Sequence, residues 1–340
     1  MKSPLRPISL ALAFALLFSI GVSPQDTAAQ SVELLEWDVP WEQSRPRDPY
    51  VAPDGRVWFV GQRTHYVAVL DPATGDMKKY DLADGAGPHN LIVADDGMIW
   101  YAGNRQAHIG MLDPATGEIT QYPMPNPEAR DPHTLIFDSK GNIWFTVQGG
   151  NFVGRLTMAD KSIDLVAVPT ERARPYGIVL DENDQPWIAL FGTSKLATID
   201  PATMELTEIP LPRDEARPRR IGVTPDQNIW YVDYAAGNLG MYDPDTKAFE
   251  EWPMPGGDGS RPYGMATDAD GKVWFVETGL EPNRFVGFDP TTETFFSINE
   301  VESGGGTIRH MFFNERDNTI WFGADTNTIG RARLLPQADS

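Results

Sequence analysis

"GPHNLIVADDGMIWYAGN", Gly87 to Asn104, reads as an apolar run behind a proline, a tight Asp-Gly turn and a second run centred on tryptophan. A near copy, "DPHTLIFDSKGNIWFTVQ", spans Asp131 to Gln148. The tryptophan phrase recurs at Trp58, Trp100, Trp144, Trp187, Trp230, Trp274 and Trp321, with gaps of 42, 44, 43, 43, 44 and 47 residues. Each unit continues with a strand such as "HIGMLDP", a turn "ATGE" and a further strand such as "ITQYPMP". Short apolar or alternating runs split by Asp-Gly and Thr-Gly turns are hairpin signals, and four strands in about 40 residues make one propeller blade. The repeat predicts an all-β fold, a seven-bladed β-propeller with four antiparallel strands per blade.

The chain ends soon after "NTIGRARLLP", so the seventh unit lacks a fourth strand of its own. The missing piece stands at the other end, where "ELLEWDVP" (Glu33 to Pro40) aligns with "EITQYPMP" (Glu118 to Pro125). An N-terminal strand paired into the last blade closes the ring and leaves fewer open sheet edges. The expected division is an export signal over 1–30, the propeller over 31–336 and a short tail over 337–340.

The export signal is read from Lys2 and Arg6, an apolar run from Ile8 to Val22 and the polar "DTAAQ" that follows. That run is too short for a membrane anchor. With 48 acidic against 28 basic residues, a formal charge of -20, the average field repels nucleic acid and anionic membranes. There is no cysteine, which excludes disulfides and thiolate metal sites. The expectation is a soluble periplasmic or secreted monomer acting on a small-molecule ligand. The repeating tryptophans read as packing between blades. The "DPATG" and "DADG" turns read as hairpin turns, since they lack the ligand series of a calcium loop.

In propellers the first strand of each blade lines the central channel. The residue after the proline that opens it, eleven before the tryptophan, runs Arg47, His89, His133, Tyr176, Arg219, Tyr263 and, with one insertion, Arg309. Seven large hydrogen-bonding side chains around one mouth point to a binding site. Two residues earlier stand Arg45, Gly87, Asp131, Arg174, Arg217, Arg261 and Thr307, so that with Arg220 positive charge gathers in an acidic protein. Guanidinium groups bind carboxylate or phosphate bidentately. These arginines serve equally as salt bridges between blades. Three residues past each tryptophan lie Gly61, Gly103, Val147, Leu190, Asp233, Glu277 and Ala324. Asp233 and Glu277 are placed at the same mouth, to hold a divalent cation or to pair with Arg219, Arg220 and Arg261. His65 and His108 fall near third strands and His310 beside the ring, which leaves His89 and His133 as the candidate pair.

With "PHNLIVADDGMIWYAGN", "HIGMLDPATGEITQYPMP" and "KVWFVETG" in view, the chain is similar to the streptogramin B (virginiamycin B) lyase family of seven-bladed propellers. The resemblance covers all seven blades. It implies opening of an ester or lactone bond in a cyclic depsipeptide by elimination, assisted by Mg2+. It assigns His133 as base, His89 as partner acid or orienting group, and Asp131 as metal ligand or histidine orienter. Where the family has a glutamate stands Val147, with Gln148 beside it, so a magnesium site must borrow Gln148, water or substrate. Glu277 keeps the tryptophan-spaced glutamate in a blade that offers Tyr263 instead of histidine. Two other readings remain open. One is a propeller without chemistry that binds an acidic ligand or partner at the Arg, Tyr and His ring. The other is a lactone hydrolase like the Ca2+-dependent gluconolactonases, with Asp233 and Glu277 at the metal.

Overall fold

The computed structural model describes residues 32–335. The expected export signal over 1–30 and the short tail over 337–340 lie outside them. The described residues form seven four-stranded antiparallel sheets in sequence order, one per unit of the repeat. Six blades are built from consecutive strands. The seventh takes its outer strand from Val32–Asp38, which pairs residue for residue with Thr328–Leu334 from Val32 opposite Leu334 to Asp38 opposite Thr328.

The closure repeats the side-chain arrangement of the other blades. Trp100 stacks on Tyr122 of its own outer strand at 5.5 Å, and Trp58 on Tyr80 at 5.7 Å. In the seventh blade Trp321 stacks on Trp37 at 5.4 Å, the residue that aligns with Tyr122. Thr328 and Ser303 donate hydrogen bonds to the carboxylate of Glu36, tying the strand at a second point.

The core is a series of layers between neighbouring blades. One cluster joins Ala52, Trp58 and Val60 of the first blade to Leu91, Val93, Ile99 and Tyr101 of the second. Another joins Trp230 and Val232 of the fifth to Val273, Phe275 and Phe288 of the sixth. The repeating tryptophans are at most 4% exposed. They are packing residues, as their recurrence predicts.

Candidate functional site

The inner strands, such as Pro46–Val51, Pro132–Phe137, Pro175–Leu180, Pro218–Val223, Pro262–Thr267 and Ile308–Asn314, run down the channel from the mouth where they begin. In these six blades the pairing with the second strand slips near the start. The slips fall between Arg47 and Tyr50, Pro132 and Leu135, Pro175 and Ile178, Pro218 and Ile221, Pro262 and Met265, and Ile308 and Met311. A bulge sets two residues opposite one, so two neighbouring side chains that strict alternation would separate can both turn to the axis. The slips therefore bring in pairs: Arg47 with Asp48, His133 with Thr134, Arg219 with Arg220, and Arg309 with His310. In the second blade His89 N donates to Ala102 O and Ala102 N to Asn90 O, and Asn90 joins His89.

These side chains fill the channel as a plug. The rings of His89 and His133 lie 3.5 Å apart, and His133 meets Tyr176 at 4.1 Å. The hydroxyls of Tyr176 and Tyr263, from blades that are not neighbours, share a hydrogen bond. Beneath them Arg220 crosses the axis, donating through Nε to the carbonyl of Arg309 at 2.8 Å and through Nη1 to Thr134 Oγ1 at 3.1 Å. Asp48 accepts from Arg47 Nε at 3.0 Å and Asn90 Nδ2 at 3.0 Å, and its Oδ2 lies 3.6 Å from Arg220 Nη2. Asn90 in turn accepts from Leu135 N at 2.9 Å. One carboxylate thus joins groups of three blades, and Asn90 extends the link to a fourth.

At the mouth Arg219 sits in an aromatic cage, its guanidinium carbon 3.6 Å from the ring centre of Tyr263, 4.3 Å from Tyr234 and 4.5 Å from Phe191. Arg309 makes a two-pronged ion pair with Asp325, and Arg45 Nε lies 3.5 Å from the same carboxylate. Buried polar atoms remain without hydrogen-bond partners: Arg47 Nη2, Arg219 Nε, His89 Nδ1 and His133 Nε2. A buried polar atom left without a partner costs free energy, so a set of them around one axis marks a place where a ligand or water completes the structure.

The electrostatics follow from this crowding. Burial, with the Arg47 guanidinium beside it, holds the His89 imidazole well below its ordinary pKa. Burial and the Arg220 and Arg47 guanidiniums do the same to His133. Both rings are neutral at pH 7. Burial alone would raise the Tyr176 hydroxyl, but Arg219, Arg220 and Arg47 outweigh it and bring it down to about 8. Burial and a Tyr176 anion push Tyr263 up, so the pair gives up one proton readily and keeps the other. Asp48 goes below the usual carboxylate range: burial opposes this, and Arg47, His310 and Arg220 overcome it.

The structure gathers the seven predicted ring residues and Arg220, and redistributes the acids. Asp131 accepts hydrogen bonds from Gly149 N at 2.6 Å and Gly150 N at 2.9 Å, so its carboxylate caps the turn that holds half-buried Gln148. It does not orient His133, whose Nδ1 lies 2.8 Å from Thr134 Oγ1. The layer three past each tryptophan, expected at the mouth, packs inside the blades: Val147, Asp233 and Glu277 are all 0% exposed. That position ends the second strand with its side chain turned inward, and the next residue, the first of the turn, reaches the mouth instead. There stand Gln62, which accepts from Arg47 at 3.2 Å, and Phe191, Tyr234 and Asp325. Asp233 pairs with Arg213 at 2.6 Å, and Glu277 accepts from Arg284 Nε at 2.7 Å and Gly256 N at 2.6 Å. Their partners are not Arg219, Arg220 or Arg261.

Of the arginines two positions before the ring, Arg45 alone joins a carboxylate of the mouth. Arg174 lies over Phe191 at 5.5 Å, and Arg217 donates to the carbonyls of Asp214 and Ala216. Asp48, Asn90, Thr134 and His310 join the plug although the sequence reading does not single them out as site residues. Each immediately follows a ring residue, and that offset is the signal that marks them.

These residues do not fit a Mg2+ or Ca2+ site. Hard cations of this kind take six or more oxygen ligands, several of them carboxylate. The carboxylates proposed for them, Asp131, Asp233 and Glu277, are each engaged by backbone amides or guanidinium groups. Among the described residues no three His, Cys, Asp or Glu side chains gather to hold a metal ion.

Fold and site together define a closed seven-bladed propeller with a polar, cation-rich plug in its channel. The chain belongs to the virginiamycin B lyase family, whose sequence profile matches residues 26–283. That match ends before the last blade, so Arg309, His310 and Asp325 lie beyond it. Among solved structures a streptogramin B lyase superposes with a TM-score of 0.80 at 26% identity, covering 89% of this chain and 98% of that one. A catalytically inactive histidine-to-alanine variant of virginiamycin B lyase from Staphylococcus aureus, solved with quinupristin, gives 0.81 at 23% identity, with 89% and 100% covered. Hydrazine synthase from Kuenenia stuttgartiensis gives 0.73 at 12%, with 88% and 98% covered, a likeness of fold alone. No curated protein sequence matches the chain.

Proposed function

We propose that the mouth binds a small molecule through a carboxylate. The observation that carries this reading is the set of buried, partnerless donors on Arg47 and Arg219 beside the neutral His89 and His133. Arg47, Arg219, Arg220 and Arg309 face two carboxylates, Asp48 and Asp325, so an anion would offset the excess charge. Guanidinium groups clamp a carboxylate with paired hydrogen bonds, and Tyr176 and Tyr263 supply hydroxyls beside it.

Thermal unfolding with a panel of mono-, di- and tricarboxylates tests the reading. A ligand at about a hundred times its dissociation constant adds about 2.7 kcal/mol to the folded state, a shift of several degrees. Arg219→Ala should fold, because Arg219 is half-buried at the edge of the plug, and should lose the shift. A shift that survives in Arg219→Ala, or no shift with any carboxylate, removes the reading.

Family membership and the Tyr176 hydroxyl favour a second reading, in which the bound molecule is opened by elimination. A base takes the proton from the carbon next to a carbonyl, the carbon-oxygen bond one carbon further breaks, a double bond forms and a carboxylate leaves. Tyr176 as phenolate is a stronger base than His133, whose imidazole burial and the neighbouring guanidiniums keep from protonating. The arginines stabilise the negative charge that develops on the leaving group. Quinupristin, other cyclic depsipeptides and simple lactones in heavy-oxygen water separate the cases. Elimination gives an unsaturated product without label, whereas hydrolysis incorporates it. Loss of a general base costs on the order of 100-fold or more, so Tyr176→Phe should lower kcat by that factor and remove the rise in rate around pH 8. Labelled product, or undiminished turnover in Tyr176→Phe, sinks this second reading and leaves the first standing.

A further inference from the structure

The plug divides the channel, and the half beyond it forms a separate cavity of about 340 Å³. Its walls are apolar, among them Ile136, Val179, Ile221, Met265 and Phe313, contributed by the later residues of the inner strands. Its polar side chains are Tyr50, Asn90, Thr134, Arg220, Thr267 and His310, of which Thr134, Arg220 and His310 are brought to the axis by the bulges. Arg220 is 3% exposed, and its Nη2 and His310 Nδ1 are buried without hydrogen-bond partners.

We propose that this cavity is a second binding site, for an amphiphile with one carboxylate and an apolar tail. The carboxylate would meet Arg220 and the tail would lie along the apolar walls, running away from the mouth. The size suits a small ligand, since such pockets begin near about 300 Å³ and are mostly apolar with a few placed polar groups. The charge suits an anion: Arg47 and Arg220 share the single carboxylate of Asp48, and Arg220 is the member that lines the cavity. The imidazole of His310 is held neutral, by burial first and by Arg220 second, so it meets the carboxylate as a hydrogen-bond donor without adding charge. A neutral amphiphile would leave the excess charge of Arg220 uncompensated. An amine would be repelled.

Isothermal titration of the full-length protein with octanoate, octan-1-ol and octylamine tests the site. In Arg219→Ala, which disables the carboxylate site of the mouth, octanoate should bind with one-to-one stoichiometry, and octan-1-ol at least about tenfold more weakly, the worth of one charge-assisted hydrogen bond. Octylamine should not bind. Arg220→Gln should weaken octanoate by a similar factor. Because that change also touches Asp48, a second variant, Ala266→Phe, fills the cavity from its wall while leaving the plug intact, and should abolish octanoate binding. Arg219→Ala, on the other side of the plug, should remove any octanoate held at the mouth and leave binding in this cavity unchanged. Octanoate that fails to bind, that binds Ala266→Phe as well as the parent, or that is lost in Arg219→Ala overturns the proposal.

Discussion

Replacing Asp48 with asparagine will cost about 3–5 kcal/mol of folding stability at neutral pH, the usual loss when one partner of a buried ion pair is removed. The residue is 1% exposed and accepts from Arg47 and Asn90 with Arg220 close by, so the neutral amide leaves two buried guanidiniums uncompensated. The sign of the pH dependence follows from the same contacts. The folded carboxyl titrates below its unfolded value, so its contribution is complete above pH of about 4 and fades as pH falls further. Chemical denaturation from pH 7 down to pH 3 should show the variant less stable at neutral pH, with the gap narrowing toward acid. A parallel offset at every pH would mean that the amide fails for shape and not for charge.

Removing residues up to Pro40 will open the ring. The last blade loses a seven-residue antiparallel partner, the stack of Trp37 on Trp321 and the bonds to Glu36, and exposes the edge of Thr328–Leu334. An unpaired edge is a template for association, so the truncated chain should unfold at lower denaturant and aggregate. Trp37→Ala isolates one contact and should cost about 2 kcal/mol, roughly half the loss of a fully buried tryptophan, since Trp37 is half-buried. Moving the strand to the other end of the chain, after Leu334, should restore the parent midpoint, because the pairing survives while the connection changes. A truncated chain that keeps the parent midpoint would show that the six complete blades hold the ring unaided.

The arrangement explains how a protein of this charge holds a cationic centre. Its acidic residues are mostly spread over blade surfaces, while the channel concentrates arginine at the one place where seven blades converge. Asp48 and Asp325 compensate part of that charge, from inside the plug and from its rim. What is left over is the charge that the two proposed carboxylate sites would answer.

The seven-blade architecture, its closure by Val32–Asp38 and the identity of the seven ring residues were legible in the chain, because each follows from a repeat of about 43 residues and from period-two alternation, which are local properties. The alignment of Trp37 with Tyr122 even anticipates which ring stacks on Trp321. What only the tertiary structure decided were the partners. Alternation predicts that the neighbour of a ring residue points away from the axis, and the bulges overturn this for Asp48, Thr134, Arg220 and His310. Asp131, Asp233 and Glu277 look available in the sequence, yet turn amides take up Asp131, Arg213 takes up Asp233, and Arg284, opposite Glu277 in the same hairpin, takes up Glu277. A bulge depends on how two strands pair, and an ion pair on which blades become neighbours; neither is written in the spacing of residues along a single strand.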